Sequence, residues 1–151
     1  MATNDNDWRT HLIDDDAGIG RVIAETRRIA VLGIKADADE PAYYVPEYAQ
    51  EAGYEIVPVP VYYPGITEIL GQPVFRKVAD VPGHVDMVNV FRRSHDVPPH
   101  VDDIIAKRPK SVWLQLGIRN DEAAERLAKA GIDVVQNRCL MIEMRRRAPR
   151  H

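Results

Sequence analysis

The chain has 151 residues and a formal net charge of −3; 45% of its residues are hydrophobic and 28% are charged. This length suits one domain with its own core, and the acidic balance argues against a general nucleic-acid partner. Because the single cysteine, Cys139, excludes an intrachain disulfide and no apolar run approaches the ~18 residues that cross a bilayer, we expect a cytoplasmic protein without a membrane partner.

The N-terminal segment is predicted to be an arm followed by a helix. Residues 1–13 are expected to form a loosely held arm on the body of the protein. A helix is predicted over residues 17–26, because three aspartates precede it and apolar residues recur within it at helical spacing. Residues 1–27 are therefore set apart from a domain over residues 28–147.

Five short apolar runs predict the strands of a parallel sheet. They are rich in Val and Ile without clean alternation, which is typical of strands buried on both faces. The runs are residues 28–33, 55–61, 85–91, 111–117 and 132–136. Helices are predicted at residues 41–53, 98–108, 120–131 and 139–147, whereas residues 62–82 are irregular with one helical turn. This alternation predicts an α/β fold with a right-handed parallel sheet.

The carboxyl edge of such a sheet is where ligands bind, at the point where the strand order reverses. Polar and basic residues end the predicted strands at this edge of an otherwise acidic protein. In chain order the strand ends are Gly33, Ile34, Lys35, Pro60, Val61, Tyr62, Phe91, Arg92, Arg93, Gln115, Leu116, Gly117, Asn137, Arg138 and Cys139.

The loop after the first strand resembles the start of a nucleotide site but lacks the GxGxxG fingerprint. Gly33 is followed by no second glycine before Gly53. The glycine permits either close approach of a ligand or only a tight turn, and spacing leaves both open. The helix that follows offers free N–H groups to a phosphate. Pro46 is expected in its early turns, where a missing N–H costs least.

Two arginines directly follow the third predicted strand. Arg92 and Arg93 either clamp phosphates through bidentate bonds or pair with carboxylates such as Asp96. Phe91 and Tyr62 either stack on a base or pack within the protein. The sequence contains no Ser-His-Asp elbow, P-loop or HExxH pattern, and its histidines lack metal-ligand spacing, so neither catalysis nor a metal site is expected.

Three stretches together carry a family resemblance: "IAVLGIKADADEPAYYVPEYAQEAGYEIVPV", "EILGQPVFRKVADVPGHVDMVNVFRR" and "VWLQLGIRNDEAAERLAKAGIDVVQNRCLMIE". In this order and spacing, residues 28–147 resemble the small stand-alone CoA-binding domain proteins, which are similar to the CoA-binding domain of succinyl-CoA synthetase. The resemblance implies a Rossmann-like three-layer fold with a five-stranded parallel sheet. It also implies non-catalytic binding of CoA or acyl-CoA, in a carrier, sensing or regulatory role.

The resemblance further implies where the parts of CoA would lie. The loop of Gly33, Ile34 and Lys35 would line the diphosphate region. The adenosine would be flanked by Pro60, Val61, Tyr62, Phe91, Arg92 and Arg93. The far side of the cleft would be formed by Gln115, Gly117, Asn137, Arg138 and Cys139. The chain departs from the family pattern where Lys35 replaces a Ser or Thr, and where residues 59–62 read VPVY in place of Val-Asn-Pro.

Other functions remain as alternatives. An NAD(P)-dependent enzyme is disfavoured by the missing GxGxxG and by the lack of an acidic residue ending the second strand. A ligand-free Rossmann-like interaction module is favoured by the altered loops at Lys35 and Pro60. A CoA ligase subunit would need a phosphorylatable histidine near the last two strands. The arm and the final helix offer extra surface, which makes a homodimer plausible.

Overall fold

The computed structural model describes residues 7–147, so the first six residues of the predicted arm lie outside the described range. Its strands are β1 (Arg28–Leu32), β2 (Glu55–Val59), β3 (Glu68–Ile69), β4 (Gln72–Pro73), β5 (Met87–Val90), β6 (Ser111–Leu114) and β7 (Asp133–Val135). Its α-helices are α1 (Asp16–Ala24), α2 (Pro41–Glu51), α3 (Val101–Lys107), α4 (Asp121–Lys129) and α5 (Leu140–Arg146).

The described chain forms a five-stranded parallel sheet in the order β2-β1-β5-β6-β7. Helices cover both faces, which confirms the predicted Rossmann-like three-layer fold. Along β1, Ile29 and Val31 point towards α1, α2 and α5, whereas Ala30 and Leu32 point towards α3 and α4. Both faces of the strand are therefore buried, which explains why its sequence is continuously apolar rather than alternating.

Both edges of the sheet are covered by other parts of the chain. The irregular segment forms the β3–β4 hairpin, which the sequence did not predict, and a 3-10 turn over Val78–Asp80. Beyond the hairpin, the Phe75 amide donates to the Pro58 carbonyl on the outer side of β2. At the other edge, the Ile13 amide donates to the Val134 carbonyl of β7. Covered edges cannot pair with the strands of another chain.

The strands are shorter than the apolar runs that predicted them. The second run extends to residue 61, whereas β2 ends at Val59, and the fourth extends to residue 117, whereas β6 ends at Leu114. The difference arises because the residues that follow each strand leave the sheet and form the loops of its carboxyl edge. Across residues 7–147, no helix is both long and apolar enough to cross a membrane.

Candidate functional site

The strand order reverses between β1 and β5, since the chain continues from β1 to one side of the sheet and from β5 to the other. In open α/β sheets this position leaves a crevice between diverging loops, where ligands bind. Within the described residues, two cavities open there. The switch-point cleft, about 340 Å³, is lined by Lys35, Glu40, Pro41, Ala42, Phe91, Arg92, Arg93, Gln115, Leu116, Gly117 and Ile118. The β2-side cavity, about 790 Å³, is lined by Leu32, Pro60, Val61, Arg76, Lys77, Ala79, Asp80, Pro99, His100, Asp102 and Asp103.

Gly33 is required by the close approach of two backbone segments. It adopts φ +87°, and a Cβ built on it would lie 2.3 Å from the carbonyl oxygen of Phe91. The Gly33 amide donates to the Val59 carbonyl at 2.9 Å, and the Phe91 amide donates to the Leu32 carbonyl at 2.8 Å. The glycine therefore lets the loops after β1 and β5 meet. Ile34, the next residue, is fully buried in the core and does not face the cleft.

The position of Lys35 depends on a proline inside α2. Pro46 is the sixth residue of α2 and so lies in its early turns, as expected. It lies beyond the first turn, however, so its missing N–H is not one of the unpaired groups whose loss costs least. The missing N–H would have donated to the carbonyl of Ala42, four residues earlier. This carbonyl instead accepts the backbone N–H of Lys35 at 3.1 Å. Because Pro46 has no N–H, the Ala42 carbonyl is free to accept from Lys35 and so holds the loop after β1.

The first turn of α2 offers fewer N–H groups than the sequence suggested. Pro41 has none, and the amides of Tyr43 and Tyr44 both donate to the Glu40 carbonyl, at 2.8 and 3.0 Å. The N–H of Ala42 donates to no described residue. Ala42 also lines the switch-point cleft, so its amide is the group of this turn that remains for a ligand.

Lys35, Tyr62 and Arg92 form a cationic cluster at the switch-point cleft, which Lys35 and Arg92 line. The Tyr62 ring centre lies 5.9 Å from Lys35 Nζ and 5.8 Å from Arg92 Cζ, within the range of cation–π attraction. Arg92 Nη1 also donates to the Tyr62 hydroxyl at 3.3 Å. Tyr62, predicted as a base-stacking or packing residue, thus contacts the two cations that face the crevice.

The two arginines after β5 have different surroundings. The Arg92 side chain is 16% exposed, its Nη2 lies 3.8 Å from Asp96, and its buried Nε has no hydrogen-bond partner among residues 7–147. The Arg93 side chain is 78% exposed, and its Nε donates to Asp96 at 3.2 Å. The predicted pairing with Asp96 is therefore present for both arginines, as a hydrogen bond from Arg93 and as a longer ion pair with Arg92. Arg92 keeps unused hydrogen-bonding capacity in a partly desolvated position, where an anion is held more strongly than at the surface.

The β2-side cavity combines the loop after β2 with residues from two further segments. Arg76 donates to backbone carbonyls of the loop after β2, including that of Tyr63 at 2.7 Å, and so fixes this loop. The Asp103 carboxylate accepts the amides of Val78 and Ala79 at 2.7 and 2.9 Å and so holds the 3-10 turn over Val78–Asp80 against α3. Lys77 is exposed and has no carboxylate within 4 Å in the described chain.

His100 lines the same cavity as an uncharged imidazole. Burial lowers its pKa from the ordinary value of 6.5, and the positive charge of Arg92 lowers it further. Asp103 and Asp96 oppose this shift without reversing it. A neutral imidazole can both donate and accept a hydrogen bond.

Residues after β6 and β7 close the far side of the cleft. Gln115 is buried beneath the cleft, with 4% of its surface exposed. The Gly117 amide donates to Asn137 Oδ1 at 2.7 Å, and Asn137 takes a left-handed backbone conformation with φ +60°. Asn137 therefore fixes the cleft wall rather than facing the cleft.

Arg138 and Cys139 lie outside both cavities. Arg138 is held by the Asp14 carbonyl at 2.9 Å and by Glu143 at 3.5 Å. Cys139 is half-buried against the core at the start of α5. The strand ends that the sequence grouped together thus divide into residues that line cavities and residues that support them.

Several cavity residues were missed or given little weight by the sequence reasoning. The main ones are Glu40, Ala42, Arg76, His100 and Ile118. Arg76 reaches the loop after β2 only because the unpredicted hairpin folds back over β2. His100 was considered only as a metal ligand, and its side chain enters the cavity through the proline-rich turn before α3. No local pattern in the sequence signals either position.

Comparisons with known proteins point to one family. The family profile described as "CoA binding domain" matches residues 27–145. YneT of Bacillus subtilis, an uncharacterized protein, is 33% identical over 126 residues, covering 83% of this chain and 91% of YneT. A Thermus thermophilus protein of known structure is 38% identical, with a TM-score of 0.81 over 88% of this chain and 98% of that one. A hypothetical protein from Pyrococcus horikoshii is 31% identical, with a TM-score of 0.81 over 88% and 92% of the two chains.

Proposed function

The chain belongs to the CoA-binding domain family, and from this we propose that it binds CoA or an acyl-CoA non-covalently at the carboxyl edge of its sheet. The observation that carries the proposal is the arrangement of the crevice. The cationic cluster lies at the strand-order reversal, where Lys35 and Arg92 line the switch-point cleft, and a second cavity opens on the β2 side of the same crevice. CoA is a ligand with matching parts, since its diphosphate joins an adenosine to a pantetheine arm.

The diphosphate is assigned to the cationic cluster. Arg92 supplies a partly buried guanidinium with unused hydrogen-bonding capacity, and Lys35 supplies an ammonium on the facing loop. The free amide of Ala42 adds a donor at the positive end of α2. The lysine in this loop stands where the family commonly has a hydroxyl residue, so a charged donor replaces a neutral one. Glu40, 3.5 Å from Lys35, exchanges its ion pair for this contact when the ligand binds.

The adenosine is assigned to the β2-side cavity. Pro60 and Val61 provide an apolar wall, and the neutral His100 provides a group that can donate to or accept from a base or ribose. Lys77, exposed at the margin, is placed to meet the 3′-phosphate that distinguishes CoA from ADP and NAD. Tyr62 is assigned to holding the cations instead of stacking on adenine, because its ring already lies between Lys35 and Arg92.

The role that we propose is carriage, sensing or regulation. The linings of both cavities consist of cations, carboxylates, an amide, an imidazole and apolar side chains, and neither lining includes a Ser, Thr or Cys among the described residues. Cys139 lies outside both. A lining without a hydroxyl or thiol supports a ligand that is bound and released unchanged, because these are the side chains that most often take up an acyl group.

Calorimetric titration with CoA, acetyl-CoA, NAD and NADP at one fixed low salt concentration tests the proposal. We expect binding of the two CoA species alone. Arg92→Ala should weaken CoA binding about 10- to 100-fold, because it removes charge-assisted hydrogen bonds from a partly buried site. Arg119→Ala is the matched control, since Arg119 also carries one charge but pairs with Asp121 on the surface.

Two results would replace the proposal. Binding of NAD or NADP in preference to CoA would favour the nicotinamide-dependent enzyme. No heat with any of the four ligands, together with no thermal stabilisation, would favour the ligand-free interaction module.

A further inference from the structure

Gln115 occupies an unusual position for a polar side chain. It directly follows β6, it is 4% exposed, and the part that is exposed faces the switch-point cleft. Besides its charged residues, the cleft is lined by the apolar side chains of Phe91, Leu116 and Ile118. A buried amide among apolar side chains needs hydrogen-bond partners for both its oxygen and its nitrogen.

The orientation of the Gln115 amide follows from two backbone groups, one of which can only donate a hydrogen bond and the other only accept one. The backbone N–H of Leu140 can only donate, and it lies 3.2 Å from Gln115 Oε1. The backbone oxygen of Trp113 can only accept, and it takes Asn89 Nδ2 at 3.2 Å. The same Asn89 nitrogen lies 3.4 Å from Gln115 Oε1. Both contacts of Gln115 therefore require its oxygen to point into the protein, which settles the assignment of oxygen and nitrogen.

The nitrogen of Gln115 must then point the other way. Nε2 donates to no residue in the described range. Asn89 Oδ1 is fully buried without a hydrogen-bond partner, whereas Gln115 Nε2 is not fully buried. It is a donor alone, since an amide NH₂ accepts no hydrogen bond. The fold thus presents one oriented, uncharged donor to the switch-point cleft, whose lining also contains the cations that would take the phosphates.

We propose that Gln115 Nε2 donates a hydrogen bond to a carbonyl oxygen of the acyl-pantetheine arm. This inference rests on the proposed CoA function and adds the part of the ligand that the far side of the cleft recognises, namely a carbonyl oxygen of the arm. The arm is largely apolar, and its hydrogen-bond acceptors are carbonyl oxygens: two amides in pantetheine and a thioester in acyl-CoA. An uncharged donor in an apolar wall suits such an acceptor, and the network through Asn89 and Leu140 holds the donor ready before the ligand arrives.

The test compares ligands with and without the arm. Gln115→Glu keeps an oxygen for Leu140 and Asn89 but has no NH₂ group, and Gln115→Met removes the donor without adding charge. Titration at pH 8 uses CoA, acetyl-CoA and 3′,5′-ADP, which carries phosphates but no arm. We expect both variants to bind acetyl-CoA about tenfold more weakly than the unmodified protein, with 3′,5′-ADP changed less than about threefold. Should Gln115→Met fail to fold, the affinities of Gln115→Glu alone test the inference.

The ligand series also locates the carbonyl. Equal losses for CoA and acetyl-CoA assign the bond to a pantetheine amide, and a larger loss for acetyl-CoA assigns it to the thioester. Unchanged affinity for both CoA and acetyl-CoA, or equal weakening of acetyl-CoA and 3′,5′-ADP, would overturn the inference while leaving the proposed function intact. If the unmodified protein bound none of the three ligands, the proposed function itself would fail.

Discussion

Gly33→Ala gives a sharp test of how the loops after β1 and β5 meet. An alanine here must adopt φ +87°, which costs about 1–2 kcal/mol for a residue with a Cβ. Its Cβ would also lie 2.3 Å from the Phe91 carbonyl oxygen, so the backbone after β5 must move. Overpacking of this kind adds about 1–3 kcal/mol. We therefore expect a loss of about 2–5 kcal/mol in the free energy of unfolding.

Gly131→Ala is the matched control for this substitution. Gly131 has φ +84°, close to that of Gly33, but its added Cβ would meet no atom within 4 Å. It should lose only the conformational part, about 1–2 kcal/mol. Urea unfolding followed by circular dichroism measures both variants. Equal losses would refute the reasoning, because they would mean that the contact with Phe91 carries no cost.

Three further substitutions test other parts of the site. Tyr62→Phe keeps the ring but loses the hydroxyl that accepts from Arg92 at 3.3 Å, so CoA affinity should fall about two- to fivefold by calorimetry; unchanged affinity would contradict the positioning role of Tyr62. Pro46→Ala supplies an N–H for the Ala42 carbonyl, so the melting temperature should rise while CoA binding weakens; stronger binding would show that the proline does not hold the loop after β1. Because the pKa of His100 is lowered on folding, the unfolded state binds more protons and stability should fall as pH drops below 6.5. His100→Gln should flatten this slope in unfolding measured from pH 5 to 8, and an unchanged slope would assign it to other groups.

The sheet could be predicted from the sequence because its signal is local. Each strand of the main sheet is a short apolar run, and burial on both faces needs no knowledge of the neighbours. The β3–β4 hairpin could not be predicted in this way. Its strands have two residues each, and it is held by tertiary contacts such as the Phe75 amide on the Pro58 carbonyl.

The site was only partly predictable for the same reason. The rule for parallel sheets correctly located the carboxyl edge, but it could not separate residues that line a cavity from those that support one. Ile34 points into the core, and Arg138 reaches the Asp14 carbonyl, because neighbours distant in sequence decide both orientations. The roles of the predicted site residues in binding CoA, the cytoplasmic location and the homodimer stay predictions.

A crystal structure of the protein soaked with CoA tests the central claim most directly. The account predicts the diphosphate within hydrogen-bond distance of Arg92 and Lys35, with the adenine between Val61 and His100 and the arm passing Gln115. Density for CoA on another surface, such as the cavity between α4 and the 3-10 turn Trp8–His11, would contradict it. So would a CoA bound at the crevice in the opposite direction, with its adenine beside Gln115.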